Sequence, residues 1–277
     1  MTLTIATADR ADVDTMVAWA VAEGWNPGRD DAGPFHAADP GGFLIGRIDG
    51  APASIISVVR TGADFGFLGF YICRPDLRGQ GHGWAIWQAG MARLAGRTVG
   101  LDGVVAQQGN YRKSGFALAH RNVRHGGKTE LSMPQDRRLV PLSSIPYEQV
   151  AAYDARHFGQ RRDDFLRAWL SGSRRGFAVV DGGVRGFGVV RPATAGNKVG
   201  PLFADDAATA ELLFQALAST VPGQEIFLDT PEPNAEAVAL ARRHGLAPAF
   251  ETARMYRGAD PGLPVQRIFG ITTFELG

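Results

Sequence analysis

The segment that most constrains the fold is residues 78–83, in which three glycines alternate with other residues. A strand-like run at 69–73 precedes it, and a helix-like segment at 84–94 follows directly. A strand that turns through glycines into a helix gathers several free backbone N–H groups, and such groups bind phosphate. Glycine suits this turn because a side chain would disfavour positive φ and hold a ligand away from the backbone. The segment therefore predicts a phosphate- or pyrophosphate-binding turn, with the charge of Arg78 at its edge.

Two other glycine motifs do not fit this segment. A P-loop ends in Gly-Lys-Ser or Gly-Lys-Thr, and residues 78–83 have no such ending. The dinucleotide fingerprint G-x-G-x-x-G would need its third glycine at Trp84 or Ile86. A flexible connection between strand and helix is the alternative that any glycine-rich loop leaves open.

Length and composition indicate a two-domain protein. The chain has 277 residues, about the length of two typical domains, and 45% of them are hydrophobic. The formal net charge of +1 gives no support for a nucleic-acid partner. The single cysteine, Cys73, excludes an internal disulfide and a multi-thiolate metal site. Because neither a signal-peptide pattern nor a membrane-length apolar run is present, we expect a cytoplasmic protein without a membrane partner.

The hydrophobic pattern predicts an α/β fold of mixed α+β type with a mostly antiparallel central sheet, in two similar halves. In the first half we predict strands at 2–7, 43–48, 51–60, 65–73, 98–101 and 116–124, and helices after Asp9, at 84–94 and at 107–114. A polar, mobile stretch is expected from 24 to 42. In the second half we predict helices at 147–158, 163–170, 206–219 and 234–244, and strands at 176–181, 184–191, 198–203, 225–229, around Met255 and at 269–276. The predicted domains are 1–133 and 147–277, joined by a linker at 134–146.

Two motifs of the first half resemble those of GNAT-type N-acetyltransferases. The order of apolar strand, Pro75, Arg78 and alternating glycines resembles the family's pyrophosphate loop, R/Q-x-x-G-x-G/A. The sequence Tyr-Arg-Lys-Ser-Gly-Phe at 111–116 resembles the later signature Y-x-K-x-G-F. Val104 and Gln107 stand where that signature has Asn and Ala, which puts in doubt how this helix contacts the cofactor.

The second half resembles a degenerate copy of the same domain. The sequence Asn-Ala-Glu-Ala at 234–237 resembles the front of the signature, and aligning the copies pairs Tyr111 with Ala241 and Pro75 with Asp205. Where the first half has its glycines, the second has Asp205 and Asp206, which suit a helix N-terminus but repel pyrophosphate. The chain is therefore identified as a member of the tandem GNAT subgroup, with two GNAT-like domains and one cofactor site.

The resemblance implies acetyl-CoA as co-substrate, direct attack by an amine in a ternary complex, and no metal. It assigns the cofactor to backbone and side-chain groups of Tyr71, Ile72, Cys73, Arg78, Gly79, Gln80, Gly81, His82, Gly83 and Asn110. It makes Tyr111 the candidate general acid that protonates the leaving thiolate. The alternative is that the Tyr111 ring only packs one face of a short helix.

The acceptor side is less constrained by sequence. Trp25, Asn26 and Asp30 are candidate substrate contacts, because they place an aromatic ring, an amide and a carboxylate in a polar loop. The expected substrate is a primary amine of a small molecule. Acetylation of a protein lysine or N-terminus and a non-catalytic acyl-CoA sensor are the alternatives. The proton acceptor for the amine is left open among Asp102, Glu130 and His120, for each of which a surface or turn position is the favoured interpretation.

Overall fold

A computed structural model describes residues 2–277, and its strands join into one continuous sheet. The strands are β1 (Leu3–Thr7), β2 (Phe43–Ile48), β3 (Ala51–Thr61), β4 (Phe65–Cys73), β5 (Thr98–Val104), β6 (Ala117–Lys128), β7 (Leu139–Pro141), β8 (Arg175–Val180), β9 (Val184–Pro192), β10 (Asn197–Ala204), β11 (Glu225–Pro231), β12 (Ala247–Arg257) and β13 (Ile268–Gly270). The helices are α1 (Arg10–Ala22), α2 (Ala32–Ala38), α3 (His82–Arg93), α4 (Gln108–Lys113), α5 (Tyr147–Phe158), α6 (Asp163–Trp169), α7 (Ala207–Ala218) and α8 (Ala235–Arg243). Within residues 2–277, no helix is long and apolar enough to cross a membrane.

The sheet confirms the predicted mixed α/β class with mostly antiparallel strands. Its order is β1-β2-β3-β4-β5-β12-β6-β11-β10-β9-β8-β7, with β13 beside β10. Among residues 2–277, only the pairs β4–β5 and β10–β11 are parallel. Each half therefore contains the same unit, a parallel pair joined by a helix, α3 in the first half and α7 in the second.

The two halves exchange strands at the centre of the sheet. Strand β12 of the second half lies between β5 and β6, while β6 of the first half lies between β12 and β11. Asn122 of β6 faces Thr252 of β12, its counterpart when Tyr111 is aligned with Ala241. The repeat is thus arranged about an approximate two-fold axis, and the sheet runs across the predicted domain boundaries.

Local sequence signals explain several elements directly. Asp49 and Gly50 join β2 to β3 with φ values of 51° and 83°, as a two-residue hairpin turn with two left-handed residues requires. Asp9 caps α1, because its side chain accepts a hydrogen bond from the Asp12 N–H and the Asp12 side chain accepts one from the Asp9 N–H.

Three segments differ from the sequence predictions. The stretch expected to be polar and mobile contains α2, whose Phe35 is fully buried with its ring centroid 6.2 Å from that of Trp169. The predicted linker contains β7, which pairs with β8 as an edge strand. The predicted last strand is only three residues long, and residues 271–277 continue as an irregular buried segment. Helix α2 and residues 271–277 are buried by distant parts of the chain, and β7 is held by its pairing with β8, so tertiary contacts override the local signal in each case.

Buried ion pairs hold the halves together. Asp31, just before α2, accepts hydrogen bonds from Arg174 at 2.9 Å and from Arg191 of β9 at 3.0 Å. Arg124 of β6 donates to both carboxylate oxygens of Asp229 in β11, at 2.7 and 2.9 Å. Removing one partner of such a pair leaves an uncompensated buried charge and costs about 3–5 kcal/mol. These pairs therefore fix the relative position of the halves.

Candidate active site

The glycine-rich turn lies between β4 and α3, as its sequence predicts. A short 3₁₀ turn, Pro75–Leu77, leads into it, and α3 begins at His82, two residues earlier than expected. Gly79 and Gly81 have φ values of 78° and 88°, and a Cβ at either position would meet nothing within 4 Å. Gly81 is the N-cap residue of α3, and no side chain caps this end of the helix. The first hydrogen bond of the helix runs from the Ala85 N–H to the Gly81 carbonyl. The first three N–H groups of α3 thus make no helix bond and have no side-chain cap, which leaves them available to a phosphate.

Strands β4 and β5 separate beside this turn. Their parallel pairing covers Phe65–Leu68 and stops there, although β4 continues to Cys73 and β5 to Val104. Phe70 has a φ of 47°, and the register between β3 and β4 shifts at the same place. A bulky residue with positive φ marks a β-bulge that redirects the strand. The edge of β4 from Gly69 onward is therefore available to an extended ligand.

A cavity of about 520 Å³ connects the turn, the separated strands and the junction of the two halves. Its lining comes from the end of α1, from β4 and β5, from the glycine turn and from α4. The second half contributes Phe250 and Thr252 of β12 and Phe274 and Glu275 of the final segment. One end of the cavity thus belongs to the first half, and the other is shared.

Most of the predicted cofactor residues line this cavity. Those that do are Tyr71, Ile72, Cys73, Arg78, Gly79, Gly81 and Gly83. Gln80, His82 and Asn110 do not. The Gln80 side chain donates to the Asp76 carbonyl at 3.0 Å, and the Asn110 side chain donates to Gln107 at 2.7 Å. Asn110 therefore stabilises the start of α4 from outside the lining.

Arg78 lies at the mouth of the cavity and is already paired. Its Nε donates to the Cys73 carbonyl at 3.0 Å, and its guanidinium forms an ion pair with Glu23. Half of the side chain is exposed. A phosphate at the turn must therefore compete with Glu23 for the Arg78 guanidinium. Because the Arg78–Glu23 ion pair is exposed to solvent, it is weak and opposes phosphate binding only slightly.

Tyr111 projects from α4 into the same cavity lining. It is 7% exposed, its ring stacks on Trp87 with centroids 5.8 Å apart, and it packs tightly against Gly103. Burial, and then the neighbouring Tyr71, raise the pKa of Tyr111 to about 12. The phenol therefore keeps its proton throughout the neutral range.

The predicted substrate residues separate into two groups. Trp25 lines the cavity, and its carbonyl accepts a hydrogen bond from Arg124 at 2.8 Å. Asn26 and Asp30 do not line it. The Asn26 amide exchanges two hydrogen bonds with the backbone of Ala195, and Asp30 accepts from Ser173 at 2.6 Å. Both residues thus connect the halves outside the cavity.

None of the three proton acceptors considered from sequence is free in the cavity. Asp102 does line it, but both its oxygens accept from Arg254 at 2.7 Å and one also accepts from Asn122. His120 lies beside Arg254 in a separate pocket, and burial lowers its pKa. Glu130 is exposed and does not line the cavity.

The corresponding place in the second half is filled by the chain itself. The pairing of β10 with β11 stops at Val199, and β13 lies beside β10 where the strands separate. The Ile271 N–H donates to the Asp229 carbonyl of β11 at 3.0 Å. At the start of α7 the Asp206 side chain accepts from the Thr209 N–H at 2.7 Å. An extended ligand and a phosphate would both meet occupied positions here.

Comparison with known proteins agrees with this geometry. The chain is 32% identical over 264 residues to the holothin acyltransferase of Pseudoalteromonas sp. (strain SANK 73390), covering 94% of this chain and 89% of that protein. The chain belongs to the GNAT acyltransferase family. Residues 10–116 match the model of the acetyltransferase (GNAT) family, and residues 150–270 match that of an acetyltransferase (GNAT) domain. This GNAT protein is therefore an acyltransferase with two GNAT domains in tandem, and its family uses acyl-CoA.

Solved structures show the same tandem fold. A candidate acetyltransferase from Pyrococcus horikoshii superposes with a TM-score of 0.84 at 22% identity, over 99% of this chain and 96% of that one. A tandem GNAT protein from the clavulanic acid biosynthesis pathway superposes with a TM-score of 0.63 at 16% identity, over 94% and 99%. The recognition of a tandem GNAT protein from two short motifs is thus confirmed.

Sequence reasoning missed the residues that the second half contributes to this GNAT cavity, and the most unusual of them is Glu275. It is 2% exposed, and neither carboxylate oxygen has a hydrogen-bond partner within residues 2–277. Burial raises the pKa of this carboxyl group. The only sequence signal is a single acidic residue between Phe274 and Leu276. Among the described residues, no group of three or more His, Cys, Asp or Glu side chains is placed to hold a metal ion.

Proposed function

We propose that this protein transfers an acetyl group from acetyl-CoA to a primary amine of a small molecule, by direct attack in a ternary complex. The observation that carries the proposal is the continuity of the cavity, which joins the glycine turn, the free edge of β4 and Tyr111. We further propose that the protein works in the cytoplasm without a nucleic-acid or membrane partner.

The cofactor end of the cavity fits a pyrophosphate followed by an extended chain. The open space at Gly79 and Gly81 and the N-terminus of α3 suit the phosphates. The edge of β4 beyond Leu68 suits amide groups that pair with a strand, as an added strand would. Acetyl-CoA supplies the activated acyl group there as a thioester.

The chain's own groups provide polarisation and a proton. Backbone N–H groups of β4 near Tyr71 and Cys73 are fixed before the ligand binds, so they stabilise charge on a carbonyl oxygen without reorganising. Tyr111 holds a proton that it can donate to the departing sulfur, since its raised pKa keeps it neutral. We therefore propose Tyr111 as the general acid and residues 71–73 as the polarising backbone.

The acceptor end favours a small molecule over a protein. Residues of both halves enclose it, and three aromatic side chains, Trp25, Phe250 and Phe274, form much of its wall. Enclosed, largely apolar pockets with a few polar groups are typical of small-molecule sites. The name of the 32% identical relative points to holothin as its acceptor, and we propose a small-molecule amine here as well.

Thiol release from acetyl-CoA across a panel of acceptors tests this proposal. We expect a small primary amine to accelerate thiol release by about 100-fold or more over the amine-free rate, a typical gain from positioned acid–base groups. Peptides with a free lysine or N-terminus serve as the comparison. Acceleration by peptides alone would indicate a protein acetyltransferase. Acetyl-CoA binding without thiol release on any acceptor would indicate a sensor. Propionyl-CoA in the same assay measures the preference for acetyl.

A further inference from the structure

We propose that the acceptor amine binds at Glu275 and that this carboxylate takes the first proton from the ammonium group, directly or through one water. The subsite is aromatic-walled and lies at the junction of the halves, so it selects a compact amine with a flat or apolar body. This inference rests on the proposed acyl transfer and names the acceptor subsite of that same cavity.

Glu275 is distinguished from the other acidic residues of the cavity by its lack of a partner. Within the described residues the lining includes the carboxylates of Glu23, Asp102 and Glu275. Glu23 is held by Arg78, and Asp102 is held by Arg254 through two hydrogen bonds. Both Glu275 oxygens are buried without a hydrogen bond. A buried unpaired carboxylate is costly, and a bound ammonium group would relieve that cost.

The position of Glu275 suits an amine that attacks at the free edge of β4. A Cβ at Gly69 would lie 2.2 Å from the Glu275 carbonyl oxygen, so the final segment passes directly over this glycine. Gly69 is the first residue of β4 beyond its pairing with β5, which ends at Leu68. The backbone of Glu275, a residue of the cavity lining, therefore lies where the reactive end of an extended ligand along β4 is expected.

The walls of the subsite indicate the class of amine. The rings of Phe250 and Phe274 lie 6.0 Å apart, and the Arg124 guanidinium lies 4.8 Å from the Phe274 centroid. Lys198 Nζ lies 5.7 Å from the same ring. Aromatic walls favour a flat or apolar body. An amine with such a body is therefore favoured over a polyamine or an amino sugar, whose further polar groups would face the rings unpaired.

Charged groups on four neighbouring elements act on Glu275. Lys198 of β10, Arg124 of β6 and Arg191 of β9 lower the pKa of its carboxyl group, while Asp31 raises it. Burial dominates and raises the pKa above the ordinary value for glutamate. Since only the carboxylate form accepts a proton, acceptor activity falls as pH decreases through this raised pKa. The acid limb of kcat/KM should therefore lie above the usual glutamate range.

The protons balance in this scheme. One proton of the ammonium passes to Glu275, and the freed lone pair forms the new N–C bond at the acyl carbon. The C–S bond breaks, and Tyr111 gives its proton to the sulfur. The second proton lost by the nitrogen returns to Tyr111, and Glu275 releases its proton to solvent. No further reactant is required.

The same arrangement gives the second GNAT domain a role. Strand β13 occupies the space beside β10 that in the first half lies open beside β4. The Leu276 N–H then donates to Thr273 Oγ1 at 2.9 Å, which fixes the turn that contains Glu275. The domain that lacks a glycine turn thus anchors the segment that completes the acceptor subsite.

Glu275→Gln, assayed with two matched amines, tests the inference. One amine has a pKa near 10 and is mostly ammonium at pH 7; the other is an aromatic amine of similar shape that is already neutral. We expect kcat/KM to fall about 100-fold or more for the first and only a few-fold for the second, because only the first needs a base. Glu275→Asp keeps a carboxylate, so it should recover part of the lost kcat/KM and should show the acid limb of the pH profile again.

Calorimetry on the complex with CoA thiol gives a readout without turnover. The ammonium-type amine should bind at least about tenfold more weakly to Glu275→Gln, as expected on loss of one charged partner. CoA affinity itself should not change, which also verifies folding. Equal losses for both amines, or an unchanged pH profile and amine affinity, would overturn the assignment of Glu275. Absence of acyl transfer by the wild-type protein on any amine would instead reject the proposed function.

Discussion

Gly83→Glu is expected to weaken acyl-CoA binding by about 1,000-fold, because two like charges near 4 Å at a protein surface repel by about 4 kcal/mol. Gly83 is the second residue of α3 and lines the cavity, so a carboxylate there would lie close to the phosphates. A carboxylate at a helix N-terminus also stabilises the free helix. The loss of binding should therefore not come from unfolding. Titration calorimetry with CoA measures the effect.

Gly83→Gln is the matched control for side-chain size. A Cβ at this position would lie 3.1 Å from the Tyr71 hydroxyl, so both substitutions require the same small shift. We expect the glutamine variant to lose only about tenfold in affinity, corresponding to about 1.4 kcal/mol. If the glutamate and glutamine variants bind CoA equally well, the pyrophosphate does not lie at the N-terminus of α3.

Tyr111→Phe should lower kcat by about 100-fold or more while leaving CoA affinity unchanged, since it removes a proton donor but keeps the ring. The ring packs against Trp87 and Gly103, and phenylalanine preserves that packing. The pKa of Tyr111 is raised to about 12, so in the wild-type protein it should cause no alkaline loss of activity below about pH 10. Steady-state kinetics over pH 6–10 measures both effects.

Tyr71→Phe is the control for a second phenol in the cavity. Tyr71 contacts the same tryptophan edge-on, with its ring centroid 5.0 Å from that of Trp87. We expect it to change kcat much less than Tyr111→Phe does. A large loss in the Tyr71 variant together with a normal Tyr111 variant would transfer the acid role to Tyr71.

Much of the fold and the cofactor end of the site was predictable because local chemistry determines it. Glycine is required at 79 and 81 by their positive φ, and the Asp49–Gly50 turn follows from the same property. Short apolar runs bounded by turn residues predicted most strands, because strands buried on both faces have such a pattern. These signals also revealed the family, because its cofactor loop consists of such local requirements.

The rest depends on contacts between distant parts of the chain. Exchanging β6 and β12 between the halves leaves the strand preference of every residue unchanged. The sequence therefore agrees equally well with the exchanged and the unexchanged strand order. Helix α2 forms in a polar stretch because Phe35 packs on Trp169 of the other half. Glu275 reaches the cavity only because β13 enters the second domain's sheet. The acceptor end of the site was therefore hidden from a sequence taken segment by segment.

The stoichiometry of acyl-CoA binding tests the central claim most directly. The first domain has an open glycine turn, whereas the second has β13 and Asp206 in the equivalent positions. Titration of the wild-type protein with acetyl-CoA should give one site per chain, and titration of Gly83→Glu should give none at the same concentrations. Two sites in the wild-type protein, or one site that persists in Gly83→Glu, would contradict the assignment of a single cofactor site to the first domain.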